Sequence, residues 1–524
     1  MKLEPRDVSE GSFLIEFPEG SDPEANPAAI AIASRLFAKP PRGFLDAIPG
    51  AKTLFVVFDP RTVDREGLIR RVRRAAEEGE GALLESRLFR IPVAYGGENG
   101  PDLEVLARDH GLEPEDVARR HAAAEYRVAF LGFSPGFAYM TGLPPELSMP
   151  RRESPRARVP AGSVAIGGDY TAVYPAESPG GWRLIGRSCV RLFDPFAAPP
   201  ALLRAGDRVR FEPIDADELA RRFAAVAPPK RAEGGGDPIL AAIAPGLFTS
   251  VRGSPRHGLG SFGVPAGGAM DPEALERGNA ILGNPPGAAA LEVSLSGPEL
   301  RVLEDALLCI CGADLGARWN GRIVDLDVPF EVRAGDHVAL GYARRGARAY
   351  LCVRNGFLEP LPGEPVRRLA RGDVVSRARP VGRGKANFPV PRSDIPDAFI
   401  RTVRTLPGSQ SGFFRAPAAE AFFSATWRVS PESDRRGIRL DGPPIELHRP
   451  PDIPPEGTAL GAIQVPASGL PIVLGPDRPV TGGYAKIATV VARDWPLLAQ
   501  APPGTAIRFV PVSLEEALAE LSRP

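Results

Sequence analysis

The sequence predicts an α+β protein that is mostly β: a small ferredoxin-like α/β domain, then β-barrel domains in two related halves. Three observations lead there. Strand and helix periodicities alternate over the first 92 residues. Glycine (57) and proline (59) make up more than a fifth of the 524 residues, against a usual share of about 12%. Turns therefore interrupt the chain too often for long helical bundles. Finally, short segments recur in the same order about 300 residues apart.

In the first region, Ser12 to Phe17 reads as a strand and Ala28 to Ala38 as a helix. Thr53 to Phe58 is an apolar strand, Asp64 to Glu78 a charged amphipathic helix, and Leu83 to Val93 a further strand. Two short helices follow, Pro101 to Asp109 and Glu113 to Ala124, joined at Gly111-Leu112. Strand and turn signals dominate from there. The stretch from Ala227 to Asp237 has linker composition, and so has Ser376 to Pro396, rich in Arg, Pro and Gly. The expected domains are 1–92, 93–225, 238–378 and 397–524, with linkers at 226–237 and 379–396.

The repeat joins the second domain to the fourth. Gly142-Leu-Pro-Pro-Glu-Leu147 aligns with Gly442-Pro-Pro-Ile-Glu-Leu447, and Pro160-Ala-Gly-Ser163 with Pro466-Ala-Ser-Gly469. Gly180-Gly181-Trp182 through Ile185 matches Gly482-Gly483-Tyr484 through Ile487, and Arg210-Phe211 matches Arg508-Phe509. Four weak matches in order point to one β-rich barrel fold used twice.

Lys+Arg and Asp+Glu both total 64, a net charge of +0, which weighs against nucleic acid or an anionic membrane as the main partner. The helix–Gly111–helix segment resembles a DNA-reading motif in spacing. Its second helix opens with Glu113, Glu115 and Asp116, which phosphates would repel. Four cysteines form no disulfide framework, and no apolar run approaches ~20 residues, so a cytoplasmic protein is expected. Cys309 and Cys311 alternate within a strand and read as core, His121 as a capping or half-buried residue. No metal site is expected, since no His or Cys pair has zinc-type spacing. Neither a Gly-x-x-x-x-Gly-Lys-Ser/Thr phosphate loop nor a Gly-x-Ser-x-Gly nucleophile turn is counted among the motifs.

Two segments concentrate residues of chemical use. From Phe130 to Arg187, glycine and proline corners interleave with Phe137, Tyr139, Tyr174 and Trp182, which can wall an apolar pocket or fill a barrel core. From Gly461 to Lys486, the residues Gln464, Asp477, Arg478, Thr481, Tyr484 and Lys486 fall on loops at strand ends. Arg and Lys suit a carboxylate, Gln an amide, and Asp proton transfer; surface ion pairs are the plain alternative.

These segments resemble a known family. GFSPGFAYMTGLPPEL (132–147), PRRESPRARVPAGSVAIGG (150–168) and YPAESPGGWRLIGRS (174–188) resemble the B-subunit of prokaryotic 5-oxoprolinase, the Kip-inhibitor or allophanate hydrolase subunit 1 type. FGVPAGGAMDPEALERGNAILGNPPGAAALE (262–292), CGADL (311–315), SDRRGIRL (433–440) and GAIQVPASGLPIVLGPDRPVTGGYAKIATV (461–490) resemble its C-subunit, the Kip-antagonist or allophanate hydrolase subunit 2 type. The chain thus looks like a B–C fusion. Two stretches depart from the family pattern: Arg252-Gly-Ser-Pro-Arg256 and Pro362 to Arg368.

The resemblance implies cyclophilin-like barrels and ATP-dependent hydrolysis of 5-oxo-L-proline to L-glutamate. It implies ATP with magnesium, bound on this chain or on a separate 5-oxoprolinase A-subunit of the lactam-utilisation type. On this reading Asp477 moves protons, Arg478 or Lys486 holds the lactam's carboxylate and Gln464 its amide, with Thr481 and Tyr484 beside them. Tyr139, Ser163 and Trp182 supply a matching surface on the second domain. Regulation of a sensor histidine kinase and a urea-carboxylase-like transferase role are the alternatives, and homo-oligomerisation is left open.

Overall fold

The computed structural model describes residues 3–17, 25–78, 86–226, 236–364, 366–378 and 400–521. Most of the linker expected at 226–237, and all of that expected at 379–396, lies outside them.

The N-terminal domain contains β1 (Pro5–Ser9), β2 (Ser12–Glu16), α1 (Ala25–Ala38), β3 (Phe44–Pro49), β4 (Thr53–Phe58) and α2 (Arg65–Glu77). Its antiparallel sheet runs β1-β2-β4-β3. This is a ferredoxin-like arrangement whose edge beside β2 is filled by the preceding β1, not by a strand after α2. The Asp64 side chain caps α2 by accepting from the Gly67 N–H, and Leu68, Ile69, Val72 and Ala75 give the helix one buried face.

The strand expected at Leu83 to Val93 runs instead from Leu88 to Tyr95 (β5), and it leaves this domain altogether. Ile91 and Val93 are buried in the core of the first barrel, and β5 pairs there in parallel with β13 (Arg208–Pro213). Between them come α3 (Leu103–Asp109), α4 (Pro114–Ala123), β6 (Tyr126–Leu131), β7 (Ala138–Thr141), β8 (Arg156–Val159), β9 (Ser163–Gly167), β10 (Tyr170–Val173), β11 (Ser178–Gly180) and β12 (Arg183–Arg187). Seven strands close in the order β10-β7-β6-β13-β5-β12-β9, β8 and β11 form a separate two-stranded ribbon, and α5 (Ala216–Ala225) follows β13.

The third region holds a six-stranded and a five-stranded sheet. Against it packs α6 (Pro272–Leu282), begun by the Asp271 cap and Pro272 and ended by Gly283 in the left-handed conformation (φ 68°). Cys309, Cys311 and Cys352 are buried under this helix with Leu275, as core residues.

The last region comprises β14 (Ile400–Pro407), α7 (Ala416–Ser424), β15 (Trp427–Val429), β16 (Gly437–Asp441), β17 (Asp452–Gly457), β18 (Ala462–Gln464), β19 (Ile472–Leu474), β20 (Thr481–Tyr484), β21 (Lys486–Val490) and β22 (Ala506–Pro511). It closes a second barrel, and β17 pairs with β20 as a second ribbon. Adding nine to each strand label of the first barrel gives its counterpart, in the same cyclic order.

The likeness extends to side chains. His121 stacks on Phe211 at 4.6 Å between ring centroids, and Phe422 stacks on Phe509 at 5.0 Å. Tyr126 Oη donates to the His121 carbonyl at 2.8 Å, as Trp427 Nε1 donates to that of Phe422 at 3.1 Å. His121 is therefore core, deeper than a capping or half-buried place. Tyr95 and Thr171 hydroxyls meet its two ring nitrogens at 2.8 and 2.9 Å, and burial pushes its pKa down to about 3.

The chain's first and last regions meet. One face of the N-terminal sheet covers α1 and α2, while Val8, Leu14, Ile48 and Phe55 on the other pack on Ala459, Ala462, Leu474 and Val480 of the second barrel. The Ala51 N–H donates to the Pro455 carbonyl, and that of Ala492 to buried Glu10. Asp46 Oδ2 accepts from Gly258 and Gly260, both at 3.0 Å, which ties in the third region. Among the described residues, no helix is long and apolar enough to cross a membrane.

Candidate functional site

Each barrel carries a compartment between its outer face and its ribbon. Inward residues Val164 and Ile166 belong to the barrel core, so alternation turns Ala165 outward. In the first barrel this outer space is filled by Phe130, Phe137, Tyr139, Tyr174, Trp182 and Leu184. Phe130 and Tyr139 stack at 4.4 Å, and Trp182 lies 5.5 Å from both Phe137 and Tyr139. Burial pushes the Tyr174 hydroxyl up to about 12 and that of Tyr139 higher. The structure thus brings Tyr139 and Trp182 together, but in a packed cluster and not as the walls of an open pocket. Ser163 is buried two residues before Ala165 on β9, and its carbonyl accepts from the Tyr174 N–H at 2.9 Å.

Register identifies the matching positions in the second barrel. Ala165 pairs with Leu184, and Gln464 pairs with Lys486. Gly180 of one ribbon faces Arg156, as Gly482 of the other faces Glu456. The same space is therefore apolar in one barrel and polar in the other. Lys486, only 1% exposed, donates from Nζ to Glu456 Oε1 at 2.8 Å. That oxygen also accepts from Gln410 Nε2 at 2.9 Å and from Ser409 Oγ at 3.4 Å. Gln464 is buried beside them, so close to β20 that a Cβ on Gly482 would come within 2.7 Å of its Nε2. Tyr484, 39% exposed, sits on the outside of the ribbon.

Gln410 and Ser409 also line a cleft of about 420 Å³ between the N-terminal sheet and the second barrel. Arg6 and Glu16 form one wall, and Phe413 and Arg449 the other. Arg6 is engaged by the Ser409 carbonyl at 2.5 Å and by Glu16 at 2.8 Å. The Arg449 guanidinium lies over the Phe413 ring at 3.3 Å and is exposed. Sequence reasoning missed this cleft; its only local signal is the Gly408-Ser-Gln-Ser-Gly412 run before Phe413.

Asp477 lies elsewhere, in a knot between the third region and the second barrel. Arg435 Nε and Nη2 reach its carboxylate at 2.9 and 3.1 Å, and Arg252 reaches it at 3.1 Å. Arg435 also meets buried Glu292 at 2.5 Å, and Glu292 accepts from Tyr350 Oη at 2.8 Å. Burial alone would raise the Asp477 pKa, but Arg435 and Arg252 outweigh it and hold the carboxyl below its ordinary value. No hydrogen bond or ion pair among the described residues links it to Lys486. Arg435 and Glu292 lie within motif segments whose partners could not be read from spacing.

Arg478 turns to the carbonyls of Thr458 and Gly475, and burial lowers its pKa to about 10. Thr481 contacts Gly132 of the first barrel so closely that a Cβ there would overlap its hydroxyl. Of the nine candidate residues, Tyr139 and Trp182 thus belong to the aromatic cluster, Gln464 and Lys486 to the polar compartment, Asp477 to the arginine knot and Thr481 to the contact between barrels, while Ser163, Arg478 and Tyr484 join none of these. Gly132-Phe-Ser-Pro-Gly136 does have Gly-x-Ser-x-Gly spacing, a point that corrects the sequence reading. It joins two strands, not a strand and a helix, and no imidazole hydrogen-bonds Ser134 Oγ among the described residues.

The donor set does not fit a nucleoside triphosphate. Lys486 is held by Glu456, and Arg435 and Arg252 by Glu292 and Asp477, which among the described residues leaves Arg449 as the cleft's one cation without an ion pair. Among the described residues no group of three His, Cys, Asp or Glu side chains is arranged for a metal ion.

Two barrels, each under its own ribbon, define a carboxyltransferase-domain protein. The carboxyltransferase family model for subdomains C and D matches residues 3–203, and that for subdomains A and B matches 262–511. The chain is 48% identical over 183 residues to the 5-oxoprolinase B-subunit of Escherichia coli O157:H7, covering 35% of this chain and 83% of that one. It is 35% identical over 277 residues to the 5-oxoprolinase C-subunit of Haemophilus influenzae, covering 50% and 87%. A crystal structure of TTHA0988 superposes with a TM-score of 0.82 at 36% identity, over 95% of this chain and 99% of that one. The chain belongs to the family of 5-oxoprolinase B- and C-subunits, and carries both types in one polypeptide.

Proposed function

We propose that this chain is the B–C component of an ATP-dependent 5-oxoprolinase, which hydrolyses 5-oxo-L-proline to L-glutamate together with a separate A-subunit. The observation that carries the reading is coverage: one chain matches 83% of a relative of the B type and 87% of one of the C type. ATP and its magnesium belong to the A-subunit in this proposal, because Lys486, Arg435 and Arg252 are already paired with carboxylates and Arg478 is turned to backbone carbonyls.

The chain's own part is to bind and orient the lactam. The amide of Gln464 and the Gln410–Glu456–Lys486 group form a polar wall in an otherwise apolar barrel face. Lys486 neutralises Glu456 and fixes it, so it acts as a positioning residue and not as a free anchor for substrate. The test is reconstitution. The purified chain mixed with the A-subunit from the same organism hydrolyses ATP and forms glutamate only when 5-oxoproline is present, and neither protein does so alone. A mixture that leaves ATP untouched in the presence of 5-oxoproline defeats the reading.

A further inference from the structure

The cleft between the N-terminal sheet and the second barrel has the attributes of a site for a small carboxylate. Its volume, about 420 Å³, lies within the usual small-molecule range of about 300–1,000 Å³. Its charge is unbalanced in one direction. Arg6 is neutralised by Glu16, 2.8 Å away, and spends a second donor on the Ser409 carbonyl. Arg449 has no carboxylate partner among the described residues.

Stacking on Phe413 engages the face of the Arg449 guanidinium and leaves its in-plane N–H edge available. That edge is the geometry that receives a carboxylate bidentately. Gln410 completes the polarity: it lines the cleft on one side and hydrogen-bonds Glu456, and through it Lys486, on the other.

We propose that this cleft binds the substrate lactam, with Arg449 holding its carboxylate, Phe413 giving the guanidinium its platform, and Gln410 at the inner wall. The inference rests on the 5-oxoprolinase reading for the identity of the ligand. It adds that Arg449, Phe413 and Gln410 of the last region make the contacts, while Arg6 and Glu16, from the start of the chain, close the opposite wall.

The experiment titrates 5-oxoproline into the full chain by calorimetry, and measures the 5-oxoproline dependence of ATP hydrolysis with the A-subunit. Arg449→Ala weakens binding and raises KM at least tenfold, while kcat changes little. Arg449 is exposed, so the variant folds; Arg449→Lys, which keeps the charge but not the planar fork, recovers only part of the loss. 2-Pyrrolidinone, the same ring without a carboxylate, binds wild type and Arg449→Ala equally weakly. Equal affinity of 5-oxoproline for wild type and Arg449→Ala overturns the site even if the enzyme is active. Should the reconstituted pair show no activity, the function fails separately, and the cleft is judged by acetate, glutarate and L-proline. Binding of any of these that depends on Arg449 supports the site, and binding of none overturns it.

Discussion

Lys486 Nζ lies 2.8 Å from Glu456 Oε1, at register positions where the first barrel places Leu184 and Arg156. One fold, used twice, has thus an aromatic cluster under one ribbon, with Arg156 turned to Asp102 at 2.8 Å, and a buried Lys486–Glu456 pair under the other.

Replacing Lys486 by the first barrel's leucine tests how that pair is balanced. Lys486→Leu leaves Glu456 buried without its cation, a loss of about 3–5 kcal/mol. Lys486→Leu combined with Glu456→Gln removes both charges and regains most of it. Thermal unfolding of the two variants measures the coupling; a single variant as stable as wild type would show that the pair contributes nothing.

Asp477 gives stability an acid limit. Its folded pKa lies below the ordinary value of 3.8, so its contribution is complete above that pH and is lost as pH falls through the folded value. Asp477→Asn removes this dependence, strands Arg252 and leaves Arg435 with Glu292 alone, lowering stability by about 3 kcal/mol at neutral pH. Melting temperatures of both proteins, followed from about pH 7 down to about pH 2, converge only below the ordinary value of 3.8. Parallel curves would count against the assignment.

His121 acts in the pH range above. Its pKa is pushed from the ordinary 6.5 down to about 3, so the unfolded chain takes up a proton that the folded one refuses. Stability therefore falls as pH drops from 6.5 toward 3, at a slope approaching one proton. His121→Phe, which copies Phe422, abolishes that slope and leaves the Tyr95 hydroxyl unpaired, at a cost of about 1–3 kcal/mol. An unchanged slope in the variant would place the titrating group elsewhere.

Gly132 and Thr481 are predicted to couple. Gly132→Ala drives a methyl into the Thr481 side chain and lowers the melting temperature, at a cost of about 1–3 kcal/mol. Thr481→Ala in the same molecule relieves most of that cost. Additive effects would mean that the barrels do not meet there in solution.

Periodicity reads the elements well because it is local. Thr53 to Phe58 needs only its own apolar run, and Asp64 to Glu78 its own amphipathic stripe. The repeat was visible for the same reason: Gly-Gly-Trp and Gly-Gly-Tyr corners recur without knowledge of their partners. The same match misled at the site. Trp182 is buried while its counterpart Tyr484 is 39% exposed, because the packing around each ribbon differs. Lys486 finds Glu456 and Gln410 from 30 and 76 residues away, and no spacing rule predicts such pairings. Asp477 resembled a free acid for want of its arginines, one of which lies 225 residues earlier.

The docking of the N-terminal sheet on the last barrel bears on how the polypeptide could be divided. Residues 1–226 and 236–524, produced as separate chains, would retain the Phe55–Gly457, Ala51–Pro455 and Asp46–Gly260 contacts across the cut. They should co-purify as a stoichiometric pair. In the fused chain the junction between them serves as a tether, raising the local concentration of surfaces that already fit each other.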